Sequence, residues 1–403
     1  MMTIEQKFEA LKADNAPGQE VRQTNDSLDG LVRGEMMGGV PVDFSHGDVD
    51  AFPPTPHSNV VWNEGFAKGG AQAYTEYRGD LDIRTSVAEE LGAFTGRPVS
   101  ANDELIITPG TQGALFLALG ATVSAGTKVA VVEPDYFANR KLVRFFGGTV
   151  VPITLSYAPD REAGISLEVL EMAFSDGVEV MVFSTPNNPT GHVYPEKIIK
   201  GIAQLAKTYG VAIIVDQLYS RMLYGGTEYT HLRAQEVLPE QLITIMGPSK
   251  TESLSGFRLG VAFGTSALVE RMERLQAIVS LRAAGYSQAA LRTWFKEPEG
   301  WLSNRIAQHQ EIRDALLKIF NDANLVTSVP GAGSYLFPQL PPLAVNLHTF
   351  VRLLRYQANV TVTPGTEFAP DAKDGIRLNF SQDRDAAVAA AKRIVKMVAL
   401  YKK

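Results

Sequence analysis

Residues 178–219 decide how this chain folds. They read Val178-Glu-Val-Met-Val-Phe-Ser184, then Thr185-Pro-Asn-Asn-Pro-Thr-Gly191, then Glu196-Lys-Ile-Ile-Lys-Gly-Ile-Ala-Gln-Leu-Ala-Lys-Thr-Tyr-Gly210, then Val211-Ala-Ile-Ile-Val-Asp-Gln-Leu-Tyr219. The first and last runs predict strands, and the apolar Val211–Val215 run suits a strand covered on both faces. Between them Pro195 stands at a helix start and Ile198, Ile202, Leu205 and Ala206 recur at helical spacing. Tyr209-Gly210 ends that helix. Strand, crossover helix and strand together make a parallel unit.

The same alternation continues outward. Glu104–Thr108 reads as a strand, Pro109-Gly110 as a turn, Gln112–Leu119 as a helix and Lys128–Glu133 as another strand. The fold class expected is α/β, a mostly parallel sheet flanked by helices. Beyond it, residues 301–320 and 384–402 read as long helices with short strands between, which predicts a smaller α+β domain. Residues 1–57 read as irregular at first, with Pro53-Pro54 and Pro56, and the N-terminal segment is expected to complete the smaller domain. The expected division is 50–290 for the large domain, with 1–49 and 291–403 for the small one.

Composition removes whole classes of function. The chain has 403 residues, with 38 Lys plus Arg against 44 Asp plus Glu and a net charge of −6, a poor match to nucleic acid. Having no cysteine, it cannot hold disulfides, thiolate zinc, iron–sulfur clusters or a cysteine nucleophile. No uncharged apolar run reaches the ~18 residues of a membrane helix. Met1–Val21 mixes both charge signs without an apolar centre, so no secretory signal is read and a cytoplasmic location is expected. Six histidines show no paired metal spacing, and neither a Walker loop, a Gly-x-Gly-x-x-Gly fingerprint nor a Gly-x-Ser-x-Gly elbow occurs. Gly331-Ala-Gly333 reads as a turn.

Four segments could carry chemistry, each with an ordinary alternative. Thr108-Pro-Gly-Thr-Gln112 opens a helix, where free N–H groups suit a phosphate, or it is a plain strand–helix turn. Thr185–Gly191 is a turn, or two amides fixed between prolines for a flat polar ligand. Asp216 ends a buried strand with Tyr219 three residues on, a place where α/β sheets bind ligands, or it caps a following helix. Gly247–Gly260 sets Ser249 beside Lys250, with Arg258 eight positions later, although a lysine in such a loop is ordinarily solvated.

In this order and spacing the chain resembles the class I/II aminotransferase family of fold-type I pyridoxal-phosphate-dependent enzymes, from about Phe44 to Ser381. The resemblance is carried by Tyr74 with Gly79 and Ile83-Arg84, Asn187–Gly191, Asp216-x-x-Tyr219, Ser249-Lys250 with Arg258, and Gly375-Ile-Arg377. It implies the aspartate aminotransferase-like fold of PLP-dependent transferases, a pyridoxal 5′-phosphate (PLP) cofactor, and ping-pong transfer between an α-amino acid and a 2-oxo acid. A homodimer with shared active sites is implied as well. By the same resemblance Lys250 binds the aldehyde and moves the Cα proton, Asp216 faces the ring nitrogen, and Tyr219 and Asn188 face the ring oxygen. Gly110, Thr111 and Gln112 would hold the phosphate with Ser249 and Arg258, while Tyr136 stacks on the ring. Tyr74 would reach the phosphate of the neighbouring subunit. Arg377 would clamp the substrate α-carboxylate, Asn188 beside it, and Gly47 would close over it.

Two positions depart from the pattern. Arg282 lies close to where some members carry an arginine for a dicarboxylic substrate, its alternative being a helix-end arginine in an ion pair. Glu252 stands where an apolar or aromatic residue is usual, and would face either solvent or a basic substrate group. Other PLP reactions on this fold (β/γ-elimination, decarboxylation or oxidation) share the same motifs. A PLP-binding regulator would need an appended DNA-binding module, and a nicotinamide enzyme lacks its glycine fingerprint here.

Overall fold

The computed structural model describes residues 3–12, 18, 28–157 and 164–403. In chain order, β1 (Val42–Asp43) precedes β2 (Leu105–Pro109), β3 (Lys128–Glu133), β4 (Thr149–Ser156), β5 (Gly164–Ile165), β6 (Val180–Ser184), β7 (Ala212–Asp216), β8 (Leu242–Met246) and β9 (Leu259–Gly264). Then come β10 (Tyr335–Leu336), β11 (Val360–Thr361), β12 (Thr363–Pro364) and β13 (Ile376–Asn379). Among the described residues the main sheet has eight strands in the order β2-β9-β8-β7-β6-β3-β4-β5. Its centre, β4-β3-β6-β7-β8, is parallel, whereas β9 runs antiparallel to both β8 and β2.

Two-residue parity distributes the central strands between two cores. Val129, Val131 and Ile214 pack on one face with helices Gly110–Thr122 and Ser266–Val279. Ala130, Val132, Ile213 and Val215 pack on the other with helices Leu167–Ser175 and Glu196–Tyr209. Both faces are therefore buried, which explains the unbroken apolar run before Asp216. The helix Glu196–Tyr209 ends on Gly210 in the left-handed conformation (φ 70°), as its sequence predicts. Its buried stripe runs through Ile199, Ile202, Ala203 and Ala206, which leaves Ile198 and Leu205 half-buried.

A separate hydrophobic cluster unites Leu28, Val42, Phe44 and Phe52 with residues of helices Trp301–Asp322, Leu347–Ala358 and Arg384–Tyr401. Against it lie an antiparallel sheet, β10-β13-β12, and the parallel β1–β11 pair. The N-terminal stretch is less irregular than expected, because residues Ile4–Leu11 form a helix. Thr3 and Gln6 cap it reciprocally, with bonds of 2.9 and 3.2 Å. No helix among the described residues is long and apolar enough to cross a membrane.

Topology positions the site. β2, β3, β6, β7 and β8 run the same way, so their carboxyl ends share one edge, and β9 enters the sheet from that edge. Gly110, Tyr136, Asn188, Asp216 and Lys250 each follow or end one of these strands, and Arg258 immediately precedes β9.

Candidate active site

Beginning at β7, Asp216 accepts a hydrogen bond from Leu218 N–H (3.0 Å) and caps a turn rather than a helix. Burial pushes its carboxyl up to about 6, against the opposing pulls of that bond and of the Lys250 charge. Tyr219 reaches across to Tyr335 at the start of β10, with their hydroxyls 2.6 Å apart. Burial drives the Tyr219 phenol well up. Tyr335 is lowered although burial opposes this, because Lys250 and Arg377 face it.

The loop after β6 divides its two amides. Asn187 is structural: its oxygen accepts from Thr190 N–H (3.1 Å) and its amide donates to Pro134 O (3.1 Å). Asn188 instead turns its oxygen to Arg377 Nη1 (3.1 Å). Arg377 is 2% exposed, donates from Nη2 to Ser45 O (2.7 Å), and lies between the rings of Tyr335 and Phe368 at 4.5 and 4.8 Å. Its Nε is buried without a partner. A buried guanidinium with a free donor suits a planar anion.

The edge nearest β2 and β9 forms a second cradle. Gly110 begins its helix with φ 75°, and a Cβ there would collide with the Arg258 guanidinium. A Cβ on Gly247 would lie 2.9 Å from Thr111 Cγ2, so residues 110–112 and 247–249 are in close apposition. Ser249 Oγ donates to Leu259 O (3.4 Å) and Arg258 Nη1 to Ser255 O (2.9 Å). Tyr136 donates its hydroxyl to Gln112 Oε1 (2.9 Å) and so ties the end of β3 to this helix start. Lys250 is half-buried, and its Nζ makes no hydrogen bond among the described residues. It opens onto a cleft of about 1060 Å³ that His46, Gly47, Met222, Ser249 and Asn379 also line. Gly47 sits against Ser381, where a Cβ would lie 3.3 Å from its Cβ.

Three cations, Lys250, Arg258 and Arg377, thus converge with one strand-end carboxylate and a helix N-terminus. That donor set fits a ligand bearing a phosphate, a carbonyl and a protonatable ring nitrogen. Among the described residues no acid or histidine cluster could hold a metal ion.

Sequence reasoning missed some residues and misplaced others. Asp135 accepts from Ser184 N–H (2.8 Å), Tyr136 N–H (2.5 Å) and the Ser184 hydroxyl, which in turn accepts from Asn188 N–H (3.2 Å). Burial lifts the Asp135 carboxyl to about 8 against these bonds. Pro134-Asp135 before Tyr136 was the available signal, whereas Tyr335 and Phe368 had none. Glu252 faces neither solvent nor the cleft; it is 1% exposed and paired with Arg221, whose charge draws it inward. Tyr74 and Arg282 are not brought to this edge. Tyr74 is 81% exposed, and Arg282 forms no ion pair among the described residues but lies over the rings of Tyr74 and Tyr77 at 5.3 and 5.2 Å. The helix before it ends at Val279, so Arg282 is not a helix-end residue in an ion pair.

Comparison with known proteins bears on the family and the fold. The family model described as aminotransferase class I and II matches residues 42–394. The crystal structure of an aspartate aminotransferase from Rhodobacter sphaeroides superimposes with a TM-score of 0.95 at 58% identity, covering 100% of both chains. An aspartate/prephenate aminotransferase from Thermus thermophilus is 27% identical over 99% of each chain. An aromatic-amino-acid aminotransferase from Thermococcus litoralis is 24% identical over 82% of this chain and 85% of its own.

Proposed function

This chain belongs to the class I and II aminotransferases, and from that premise we propose that it moves the amino group of a dicarboxylic amino acid, aspartate first, to a 2-oxo acid on PLP held by Lys250. The observation that carries this reading is the shared strand edge, where Lys250, Asp216 and the Asn188–Arg377 pair meet in one chain. The choice of a dicarboxylic substrate rests on the likeness to the aspartate aminotransferase of R. sphaeroides.

The residues have separable duties. PLP, when bound, supplies an electron sink for charge developing at the substrate Cα. Lys250 Nζ holds the cofactor and then serves as the base that takes the Cα proton. Asp216 favours a protonated ring nitrogen, and low dielectric strengthens that pairing. The Tyr219 hydroxyl and the Asn188 amide serve the ring oxygen, with Tyr136 against the ring. N–H groups of Gly110, Thr111 and Gln112, the Ser249 hydroxyl and the Arg258 fork hold the phosphate. Arg377 grips the α-carboxylate beside Asn188, which orients the Cα–H bond, and the Gly47 segment covers it.

Residues 50–290 serve as the cofactor-binding domain and residues 1–49 with 291–403 as the small one, so the substrate lies between them. Tyr74 and Arg282 complete the site of a second copy in a homodimer, with Arg282 meeting the distal carboxylate. The exposed apolar residues beside them, among them Phe66, Ile278 and Leu281, suit such an interface. The reaction places the enzyme in amino-acid metabolism, and a cytoplasmic location is part of the same reading.

Borohydride reduction of the holoenzyme followed by peptide mapping is expected to label Lys250, and Lys250→Ala to abolish both label and turnover. Label elsewhere, or full activity in that variant, would overturn the assignment. Ammonia released from aspartate without an oxo-acid acceptor would favour the lyase or oxidase reading instead.

A further inference from the structure

Glu252 is two residues past Lys250, and Arg221 is two residues past Tyr219. The two side chains meet in a buried ion pair, which Glu297 joins. We propose that Glu252, Arg221 and Glu297 form a brace that fixes the Lys250 loop to the segment bearing Asp216 and Tyr219, and so positions the lysine amine for the reaction. The inference rests on the reading of Lys250 as the cofactor-binding lysine.

The geometry is that of a clamp. Arg221 forks onto Glu297 through Nη1–Oε1 (2.7 Å) and Nη2–Oε2 (2.9 Å), while the same Nη1 donates to Glu252 Oε1. Its guanidinium lies 4.1 Å from the centroid of Phe295. Phe295 itself has a left-handed backbone (φ 65°), and its N–H donates to Glu297 Oε1 (3.2 Å). The loop is also held from behind. Glu252 O accepts from Thr55 N–H (3.0 Å) and Thr55 Oγ1 (3.1 Å). Ser253, with φ 57°, accepts at its hydroxyl from Arg305 Nη1 (2.9 Å), and Arg305 Nη2 reaches Pro53 O (2.8 Å). Ser253 N–H closes the turn on Lys250 O (3.1 Å). A shift of the Lys250 loop would therefore have to break contacts with three separate parts of the chain, at Thr55, Arg221 and Arg305.

Stability alone is a weak reason for such a cluster. Replacing a buried ion pair by well-packed apolar residues is often neutral or stabilising, whereas buried charges can specify one arrangement. Two carboxylates share Arg221, and Arg305 is the further cation facing Glu252. Burial raises the Glu252 carboxyl to about 7, with Glu297 adding to this and Arg221 opposing it. The brace is then at full strength above neutrality and weakens as Glu252 takes up a proton below it.

The test uses full-length protein carrying Glu252→Gln, Glu252→Met or Arg221→Lys, each checked for folding by its melting temperature. In the holoenzyme, kcat is expected to fall ten- to a hundredfold in both Glu252 variants, as small misplacements of a reacting group do, with KM for aspartate within about twofold. Arg221→Lys, which keeps the charge but loses the fork, should fall between these and the parent. In the apoprotein, the rate at which trinitrobenzenesulfonate labels Lys250 at one fixed pH is expected to rise in both Glu252 variants as the loop loosens, a readout that needs no turnover. Folded variants with the parent's kcat and labelling rate would overturn the brace. Should both Glu252 variants fail to fold, Glu297→Gln and Arg221→Lys decide by the same two readouts. If borohydride labels Lys250 in the parent while the variants behave as the parent does, only the brace is wrong. If the parent takes no label, the functional reading fails first.

Discussion

The Lys250 edge and the Tyr74–Arg282 pair come from one set of sequence motifs, yet they are built in opposite ways. At the edge, side chains close a network inside one chain: Asn188 with Arg377, Tyr219 with Tyr335, Tyr136 with Gln112. At the pair, a largely exposed tyrosine has an arginine over its ring and no link to that network. A buried network has its partners already, so its residues act where they stand. An exposed ring and cation have contact area still to offer, and they make chemical sense as part of a site that a second copy completes. On the proposed homodimer, one chain would present most of one active site and a fragment of another.

The strongest way to break this contrast is to cut the network at its most buried cation. Arg377→Ala leaves Asn188 Oδ1 and Ser45 O without their donor and would remove the proposed grip on the α-carboxylate. Truncating one partner of a buried, hydrogen-bonded charge pair costs about 2–5 kcal/mol, or roughly 30-fold to several thousandfold in kcat/KM. The loss should be shared by the amino-acid and oxo-acid half-reactions, as measured by stopped-flow with each substrate alone. An unchanged response to both would remove Arg377 from the site.

Gly110→Ala probes the other cradle with a smaller expected effect. A side chain at φ 75° carries about 1–2 kcal/mol of backbone strain and would also displace the Arg258 guanidinium. PLP should bind about tenfold more weakly, which spectroscopic titration of the apoprotein would show. Equal retention would mean that the cradle does not hold the phosphate.

How much of this contrast the sequence reveals follows from distance along the chain. Asp216 is legible because the apolar run before it names a strand buried on both faces, and the ends of such strands lie together. Gly210 and Pro195 announce the limits of one helix. Tyr335 is illegible because its contact with Tyr219 spans 116 residues and leaves no local pattern. The turn at Gly331–Gly333 is readable as a turn, but the need for Gly333 comes from the Tyr219 ring, 3.2 Å from where a Cβ would sit. Glu252 was misread for the same reason, since its partner Arg221 lies 31 residues before it and Glu297, which shares that arginine, 45 residues after it. Motifs disclose residues expected to face a ligand; contacts between distant parts of the chain emerge only from packing.

Tyr74→Phe sharpens the comparison from the exposed side. If Tyr74 bonds the phosphate, losing that hydroxyl should weaken PLP binding about tenfold, while the melting temperature of the apoprotein stays close to the parent's because the hydroxyl bonds nothing among the described residues. Co-refolding this variant with Lys250→Ala chains gives a stricter reading. If Tyr74 serves the neighbouring subunit, mixed dimers contain one intact site, so roughly a quarter of all sites should regain tight, borohydride-trappable PLP. If Tyr74 serves its own chain, none will.

The smallest effect is expected at His46, on the wall of the cleft that Lys250 opens onto. Its ring nitrogen lies 3.4 Å from Asp43 in a pair whose side chains are 64% and 40% exposed. The hydrogen bond to Asp43 raises the imidazole to about 9, against partial desolvation, and Asp43 is held low although burial opposes this. A raised histidine adds stability that is complete below its unfolded value of 6.5 and is lost as pH climbs through about 9. Solvent screening at this exposure limits the pair to less than about 1 kcal/mol. His46→Ala should therefore lower the apoprotein's melting temperature by a degree or two at pH 6 and by nothing at pH 10, and 1 M salt should shrink the difference. The buried Asp135 slopes the same way over a lower window, because a carboxyl raised to about 8 destabilises the fold as pH rises from about 4 to about 8. A difference between parent and His46→Ala that instead persisted at pH 10 would show that packing, rather than the proton shared with Asp43, holds this side chain in place.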